Sequence, residues 1–471
     1  MKERIKSTVL VVLVILNFIL GSKVLSTKKL WSDFGYNFFS NSENPVTSFI
    51  SSIKSKLFNK TPAETHLEAP GMIIINTGYQ TTRLALNRSD EEFADLTPVI
   101  NEFLTEAFSS PQKFVQAKSE DFYSALTAKS VYMRYSSNYD SSLFAYLLGI
   151  SSADFSQVFS QLCNIVISAD GTVYVEDSST SDIYRCPTNI STQKLNAIID
   201  SHATNEKQDA AIINYAFDLG FDKAFGTQKT VLAPIIPIYS DELELGLISA
   251  KNPLLKSDST IKENEISNIL RVFSMNPNIL RRYTEADGTI VFVENNSVLK
   301  ISSSGVIDYT ATEGVILTKS SYSVQFDAIS AIAGFVDNVN IASGSDSTMQ
   351  LSSPLTASEL SSGTLTVCLD YLAGGIPVKL NNPSFRNAVT LEIENGRIKK
   401  YRQLLRSYSP TDTTFVVPNY ILALDDAIAK YESQLNDIEI NTLEIVYEDD
   451  GTDGIKEPSW SVGVKDIIIA D

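Results

Sequence analysis

The chain has 471 residues, 43% of them hydrophobic, and a net charge of -18. Residues 1–6 contribute +2 and residues 7–29 contribute +3, which leaves -23 on residues 30–471. So acidic a body argues against charge-driven binding of nucleic acid or of an anionic wall polymer. With only two histidines and three cysteines, the chain also offers little for a His/Cys metal site or a disulfide framework.

The basic leader Lys2-Glu3-Arg4-Ile5-Lys6 runs into an apolar stretch, and the 19 residues from Ser7 to Leu25 make ~28 Å of helix, close to the hydrocarbon thickness of a bilayer. Bulky Ile19 stands where a signal-peptide cleavage site needs a small residue, and no cysteine precedes Cys163, so the segment reads as an uncleaved anchor. Lysines flank it on both sides. Its orientation follows from the long chain behind it, which places residues 1–6 in the cytoplasm as a tail and the rest outside the cell membrane. Within the span, Leu13, Leu16, Asn17 and Leu20 share one helical face, and Asn17 can hydrogen-bond to a neighbouring helix in lipid. That face is the candidate partner-binding site. Trp31, Phe34, Tyr36, Phe38 and Phe39 follow where aromatic rings favour the headgroup region.

Residues 26–70 read as a juxtamembrane stalk punctuated by Pro45, Pro62 and Pro70. Inside it Val46, Phe49, Ile50, Ile53 and Leu57 recur at helical spacing beside Lys54, Lys56 and Lys60. Such a basic amphipathic helix either lies on the membrane surface or packs on the ectodomain, the second being favoured.

From Gly71 the pattern is mixed, and an N-terminal α+β domain is expected over 71–225. Met72–Ile75 is a buried strand, and Thr97-Pro98 is expected to open a helix carrying Val99, Ile100, Phe103, Leu104 and Ala107 on one face. A strand at Val131–Tyr135 and a short helix at Leu143–Leu148 follow. Three hairpins with Asp-Gly or Asn-Gly turns are predicted at Asn164–Glu176, Tyr283–Glu294 and Val389–Tyr401. Cys163 and Cys186 fall on the first and third strands of a meander, ~10 Å apart and too far for a bridge, so they read as small buried apolar residues. The string Ala-Asp-Gly-Thr occurs at 169–172 and at 286–289. A duplicated domain and independent convergence on a good turn explain it equally well.

A central α+β domain is expected over 226–320 and a C-terminal one over 321–471. In the latter, Ile421, Leu424, Ile428, Tyr431 and Leu435 predict a helix at 419–435 with one face on a sheet. Strands at Thr442–Tyr447 and Ser459–Val464 follow, joined by the acidic loop Glu448–Glu457.

Candidate chemistry is sparse. Ser26/Lys29, Ser51/Lys54 and Ser259/Lys262 have the spacing of penicillin-recognising enzymes but neither the apolar setting nor a Lys-Thr-Gly strand. Asp449 to Gly454 begins like a calcium loop, then fails with Gly451 at position three and Trp460 at position twelve, and reads as a solvated turn. No catalytic, cofactor-binding or metal-binding residue is assigned, and the ectodomain reads as a binding or sensory protein.

Taken in order, several segments resemble the YycH family of membrane-anchored accessory proteins of the WalK sensor histidine kinase: Arg4-Ile5-Lys6-Ser7, Leu270–Phe273, Arg281-Arg282-Tyr283, Asp287-Gly288 and the strand to Val293, Ser303-Ser304-Gly305 and Asp308-Tyr309. The last domain is similar to that of the sister protein YycI in Gly396–Tyr401, Asp426-Ala427-Ile428, Tyr447 and Pro458-Ser459-Trp460. The stalk departs from the family in its length and loose pattern. The resemblance implies an α+β fold in which a single transmembrane helix precedes a multi-domain ectodomain of antiparallel sheets with packed helices, its C-terminal domain YycI-like. It also implies a non-enzymatic regulator whose partners are a WalK-type kinase and a YycI-like protein, controlling cell-wall metabolism. The alternative class is an extracytoplasmic enzyme or ligand-binding protein acting on wall precursors.

Overall fold

The computed structural model describes residues 67–465 apart from 68, 79–82, 151–153, 156, 205–210, 225–229, 241, 258–259, 318–323, 357–358, 360–362 and 432–437. The expected transmembrane helix at 7–25, with Leu13, Leu16, Asn17 and Leu20, lies outside the described residues, as does nearly all of the stalk. Among the described residues no helix is long and apolar enough to cross a membrane.

Met72-Ile73-Ile74-Ile75 lies in β1 (Met72–Thr77), whose Ile73, Ile74 and Ile75 are fully buried, as a continuous apolar run demands. It is central in a nine-stranded sheet. The remaining strands are β2 (Arg83–Leu86), β3 (Val115–Ala117), β4 (Lys129–Asp140), β5 (Gln161–Ser168), β6 (Thr172–Asp177), β7 (Ile183–Pro187), β8 (Ala211–Tyr215) and β10 (Pro237–Tyr239). Their spatial order is β10-β8-β2-β1-β4-β5-β6-β7-β3.

Between β8 and β10 the chain leaves this sheet to add β9 (Val231–Leu232) to a second, twelve-stranded one. That sheet runs from β12 (Arg281–Thr284) through β13 (Ile290–Glu294), β14 (Ser297–Ile301) and β15 (Val306–Ile316) to β20 (Arg397–Leu404) and β19 (Val389–Glu394). It continues through β17 (Thr364–Ala373) and β18 (Ile376–Leu380) to β22 (Glu439–Asp449) and β24 (Pro458–Val464), with β16 (Thr348–Leu351) on β17. Strands from both sides of residue 320 thus share one sheet. Pairing is antiparallel except where β22 meets β18 and β9. A small third sheet joins β21 (Ser407–Val416), β11 (Glu244–Lys251) and β23 (Gly454–Lys456).

Seven α-helices pack around these sheets among the described residues: α1 (Glu91–Phe108), α2 (Ser119–Thr127), α3 (Ser141–Leu147), α4 (Gln193–Thr204), α5 (Glu263–Val272), α6 (Val324–Ser343) and α7 (Tyr420–Tyr431). The first begins about two turns before the expected Thr97-Pro98 start. Phe93 and Leu96 extend the stripe of Ile100, Phe103, Leu104 and Ala107 upstream, so burial carries the helix through Pro98. Glu91 and Glu92 favour its N-terminus electrostatically, and the Thr97 hydroxyl bonds to the Phe93 carbonyl at 2.7 Å.

All three predicted hairpins form, with different turns. Asn395 and Gly396 both take positive φ, 51° and 71°, as a type I′ turn requires. In the two Ala-Asp-Gly-Thr strings only the glycines do, at 84° and 86°, and Asp170 and Asp287 each accept the amide of the following threonine, Thr172 at 3.0 Å and Thr289 at 2.9 Å. The shared string therefore builds the same turn twice.

The expected stripe on the 419–435 helix is only partly buried. The inward face of α7 runs through Tyr420, Leu424 and Ile428, which pack with Leu232, Ile440 and Leu443, whereas Ile421 turns outward and is 49% exposed. Leu435 lies outside the described residues. Cys163 and Cys186 sit on β5 and β7 as expected; all three cysteines are free, and Cys186 is buried.

A chain of side-chain bonds crosses the meander: the Tyr132 hydroxyl donates to Asn164 at 2.7 Å, and Asn164 donates to Glu176 at 2.7 Å. Burial raises the Glu176 carboxyl above the ordinary glutamate value, against the opposing effect of the Asn164 bond. A carboxyl so raised binds its proton more tightly in the folded chain, so its destabilising contribution is complete at neutral pH and disappears as pH falls through the raised value. Glu176→Gln keeps an acceptor for Asn164 and removes the charge. The variant is expected to be at least as stable as the parent at pH 7 in denaturant titrations, with its advantage shrinking as the pH is lowered. A loss above ~1 kcal/mol at pH 7 would contradict this reading.

Candidate functional site

The two large sheets meet at a seam. Val231 and Leu232 pair in parallel with Glu439 and Ile440 although β8 and β10 on either side belong to the first sheet. Around that crossing, Ala216, Leu232, Ile236 and Ile238 from one half form a core with Leu424, Ile438, Ile440 and Leu443 from the other. Gly375 adds a second seam contact: a Cβ there would stand 2.9 Å from the Ser89 amide nitrogen. Its φ of 78°, with 55° at Gly374, makes the Gly374-Gly375 link between β17 and β18 another type I′ turn.

At the edge of the seam lies a cleft of about 330 Å³. Strand β10 and the turn after it supply Ile238, Tyr239, Ser240, Glu242 and Leu243, and the approach to α7 supplies Val417, Pro418, Asn419 and Tyr420. Trp460 of β24 closes it. The indole Nε1 donates to the Pro418 carbonyl at 2.6 Å, and the ring stands 5.7 Å from Tyr239 and 6.2 Å from Tyr420 between centroids. Clefts at such seams, walled by apolar and aromatic side chains with a few polar groups, are the usual place for binding. Burial pushes the Tyr239 phenol up to about 12, with Arg134 opposing and Asp90 and Glu444 adding to the rise. Tyr239 is therefore a neutral hydrogen-bonding group at physiological pH.

A second assembly lies behind the acidic loop, which is largely exposed as expected from sequence but buries Asp449 and forms β23 over Gly454–Lys456. Arg406, between β20 and β21, has a fully buried side chain that meets fully buried Asp449 at 2.8 Å. It also meets Asp453 at 2.8 Å and the Thr452 carbonyl at 2.5 Å. Asp449 further accepts from the Tyr408 hydroxyl at 2.9 Å and the Gly451 amide at 2.9 Å, and Lys456 stands 3.2 Å away. Asp453 accepts the Asn252 amide at 2.8 Å, tying in the end of β11. Burial alone would lower the Arg406 pKa; the bonds and charges of Asp449 and Asp453 outweigh it and hold the guanidinium above its ordinary value. These carboxylates balance a buried cation. Among the described residues no group of three or more His, Cys, Asp or Glu is arranged to hold a metal ion.

The residues proposed on sequence for partner binding, Leu13, Leu16, Asn17 and Leu20, fall outside the described residues, and Trp460 is the one quoted segment residue found in the cleft. Sequence reasoning missed Arg406 and Tyr239. The signal for the first was a lone arginine closing the run Leu404-Leu405-Arg406 some forty residues before an acidic cluster.

Two mostly antiparallel sheets joined through a shared seam, with helices packed around them, define the class as an α+β protein. The chain matches the crystal structure of YycH from Bacillus subtilis with a TM-score of 0.54 and 12% sequence identity, covering 86% of this chain and 97% of that one. The fold is YycH-like over nearly the whole of that molecule. No family model matches the sequence, and no curated protein matches it either.

Proposed function

We propose that this chain is a non-enzymatic, membrane-anchored accessory regulator of a WalK-type sensor histidine kinase. It would act through its transmembrane helix and through ectodomain contacts with a YycI-like partner. The observation that carries this reading is the YycH-like fold spanning 86% of the chain. The segments that resemble the family on sequence and the apolar span at 7–25 support it. Regulation of this kind needs no catalytic group, because ~1–3 kcal/mol of coupling between helices in lipid is enough to bias a kinase between two states.

The cleft gives the rival class, an envelope enzyme or ligand-binding protein, its one foothold. Among its described lining residues Glu242 is the one carboxylate, beside Tyr239, Asn419 and Tyr420. The discriminating experiment is co-purification of the full chain with the kinase from detergent-solubilised membranes, together with deletion of the gene. The proposal expects a stable complex and a change in kinase-dependent transcription. Unchanged transcription on deletion would reject it.

A further inference from the structure

The cleft beside Trp460 has room for one small ligand. Its volume of about 330 Å³ lies at the low end of the ~300–1,000 Å³ usual for ligand pockets. Tyr239, Tyr420 and Trp460 line it, and the Trp460 ring is inclined at 56° to Tyr239 and at 75° to Tyr420, so the rings wall the space without stacking shut. The indole N–H is spent on the Pro418 carbonyl at 2.6 Å, which leaves the π-face as what Trp460 can offer a ligand.

Among the polar groups of the lining, Asn214 donates to Ser240 at 2.9 Å, and Asn419 accepts the Ile421 amide at 2.9 Å as the cap of α7. Others are left over. The Glu242 carboxylate is exposed at the cleft and has no ion pair or hydrogen bond among the described residues. Tyr239 is only 8% exposed, yet its hydroxyl has no hydrogen-bond partner among the described residues either.

These leftovers select the chemistry of the ligand. An anion would meet the Glu242 charge on a chain whose net charge is already -18, and a purely apolar ligand would leave the Tyr239 hydroxyl without a partner. A cation satisfies the whole lining. Aromatic faces attract a cation placed within about 6 Å of the ring centroid, tryptophan most strongly, and quaternary ammonium groups are held by aromatic walls of this kind. The carboxylate supplies the counter-charge.

We propose that the cleft binds a small organic cation, its alkylammonium group held among Tyr239, Tyr420 and Trp460 and balanced by Glu242, with the Tyr239 hydroxyl bonding to a polar substituent of the same molecule. Tyr239 belongs to β10 of the nine-stranded sheet and Trp460 to β24 of the twelve-stranded one, so the ligand bridges the seam. The inference does not rest on the kinase assignment.

The test uses the full chain with Trp31→Phe in dodecyl maltoside, which leaves Trp460 as the only tryptophan of the two in the sequence. Its fluorescence is titrated with choline chloride at constant ionic strength and, separately, with 3,3-dimethylbutan-1-ol, the neutral carbon isostere of choline. Choline is expected to give a saturable change, and the alcohol to bind about tenfold more weakly or worse. Glu242→Gln, at an exposed position, should weaken choline binding about threefold or more while leaving the response to the alcohol unchanged. Tyr420→Leu, which keeps an apolar side chain and removes the ring, should weaken choline in the same way. No saturable change with choline, equal affinity for the two probes, or parental choline affinity in Glu242→Gln would each overturn the proposal.

Discussion

Replacing Arg406 by alanine is expected to cost about 3–5 kcal/mol, because it strands Asp449, whose side chain is fully buried, without its principal counter-charge. The loss should be cooperative across the molecule. The side chain joins the start of β21 to the loop after β22 through Asp449, Asp453 and the Thr452 carbonyl, whereas alanine keeps the backbone bonds of residue 406 to Ser345, Ser347 and Tyr371. Denaturant midpoints of the single variant and of Arg406→Met with Asp449→Leu separate two explanations. If the charge is needed only to balance its partner, the double exchange should be the milder one, since apolar replacement of a whole buried pair is often neutral. A single variant within ~1 kcal/mol of the parent would show that Lys456 and Tyr408 suffice to hold Asp449.

Gly314→Ala is the second large effect. The residue sits at φ 77° in the irregular stretch of β15 where the register to β20 shifts between Thr310 and Val315. A Cβ there would stand 2.3 Å from the Ile398 carbonyl oxygen, a backbone atom that cannot rotate aside. Left-handed strain of about 1–2 kcal/mol adds to overpacking of about 1–3 kcal/mol, so a loss of about 2–5 kcal/mol is expected. Because β15 and β20 lie mid-sheet, hydrogen exchange should accelerate on both strands together. Stability and exchange equal to the parent's would mean that the bulge simply rearranges.

The hairpins were legible in the sequence because their information is local: alternating apolar residues around Asp170-Gly171, Asp287-Gly288 and Asn395-Gly396 dictate both strands and the turn. The continuous run Ile73-Ile74-Ile75 likewise announces a central strand. What the sequence hid depends on distant partners. Local chemistry favours Pro98 as a helix start, and only the packing of Phe93 and Leu96 reveals the two turns before it. Ile421 looked like part of a buried stripe, but which side of a helix faces inward is decided by the surface it meets, here Leu232, Ile440 and Leu443. Arg406 and the acidic loop are separated by more than forty residues, and Tyr239 meets Trp460 across more than two hundred. No periodicity connects such pairs.

The central claim of the proposed function is that the apolar span at 7–25 would transmit regulation as well as anchor the protein. The most direct test replaces residues 7–25 with an unrelated apolar helix of the same length, leaving the ectodomain intact and at the membrane. Kinase-dependent transcription is then expected to shift to the level of the deletion strain, with Leu13, Leu16, Asn17 and Leu20 the face whose restoration recovers it. Transcription that stays at the parent level after the swap would contradict the account.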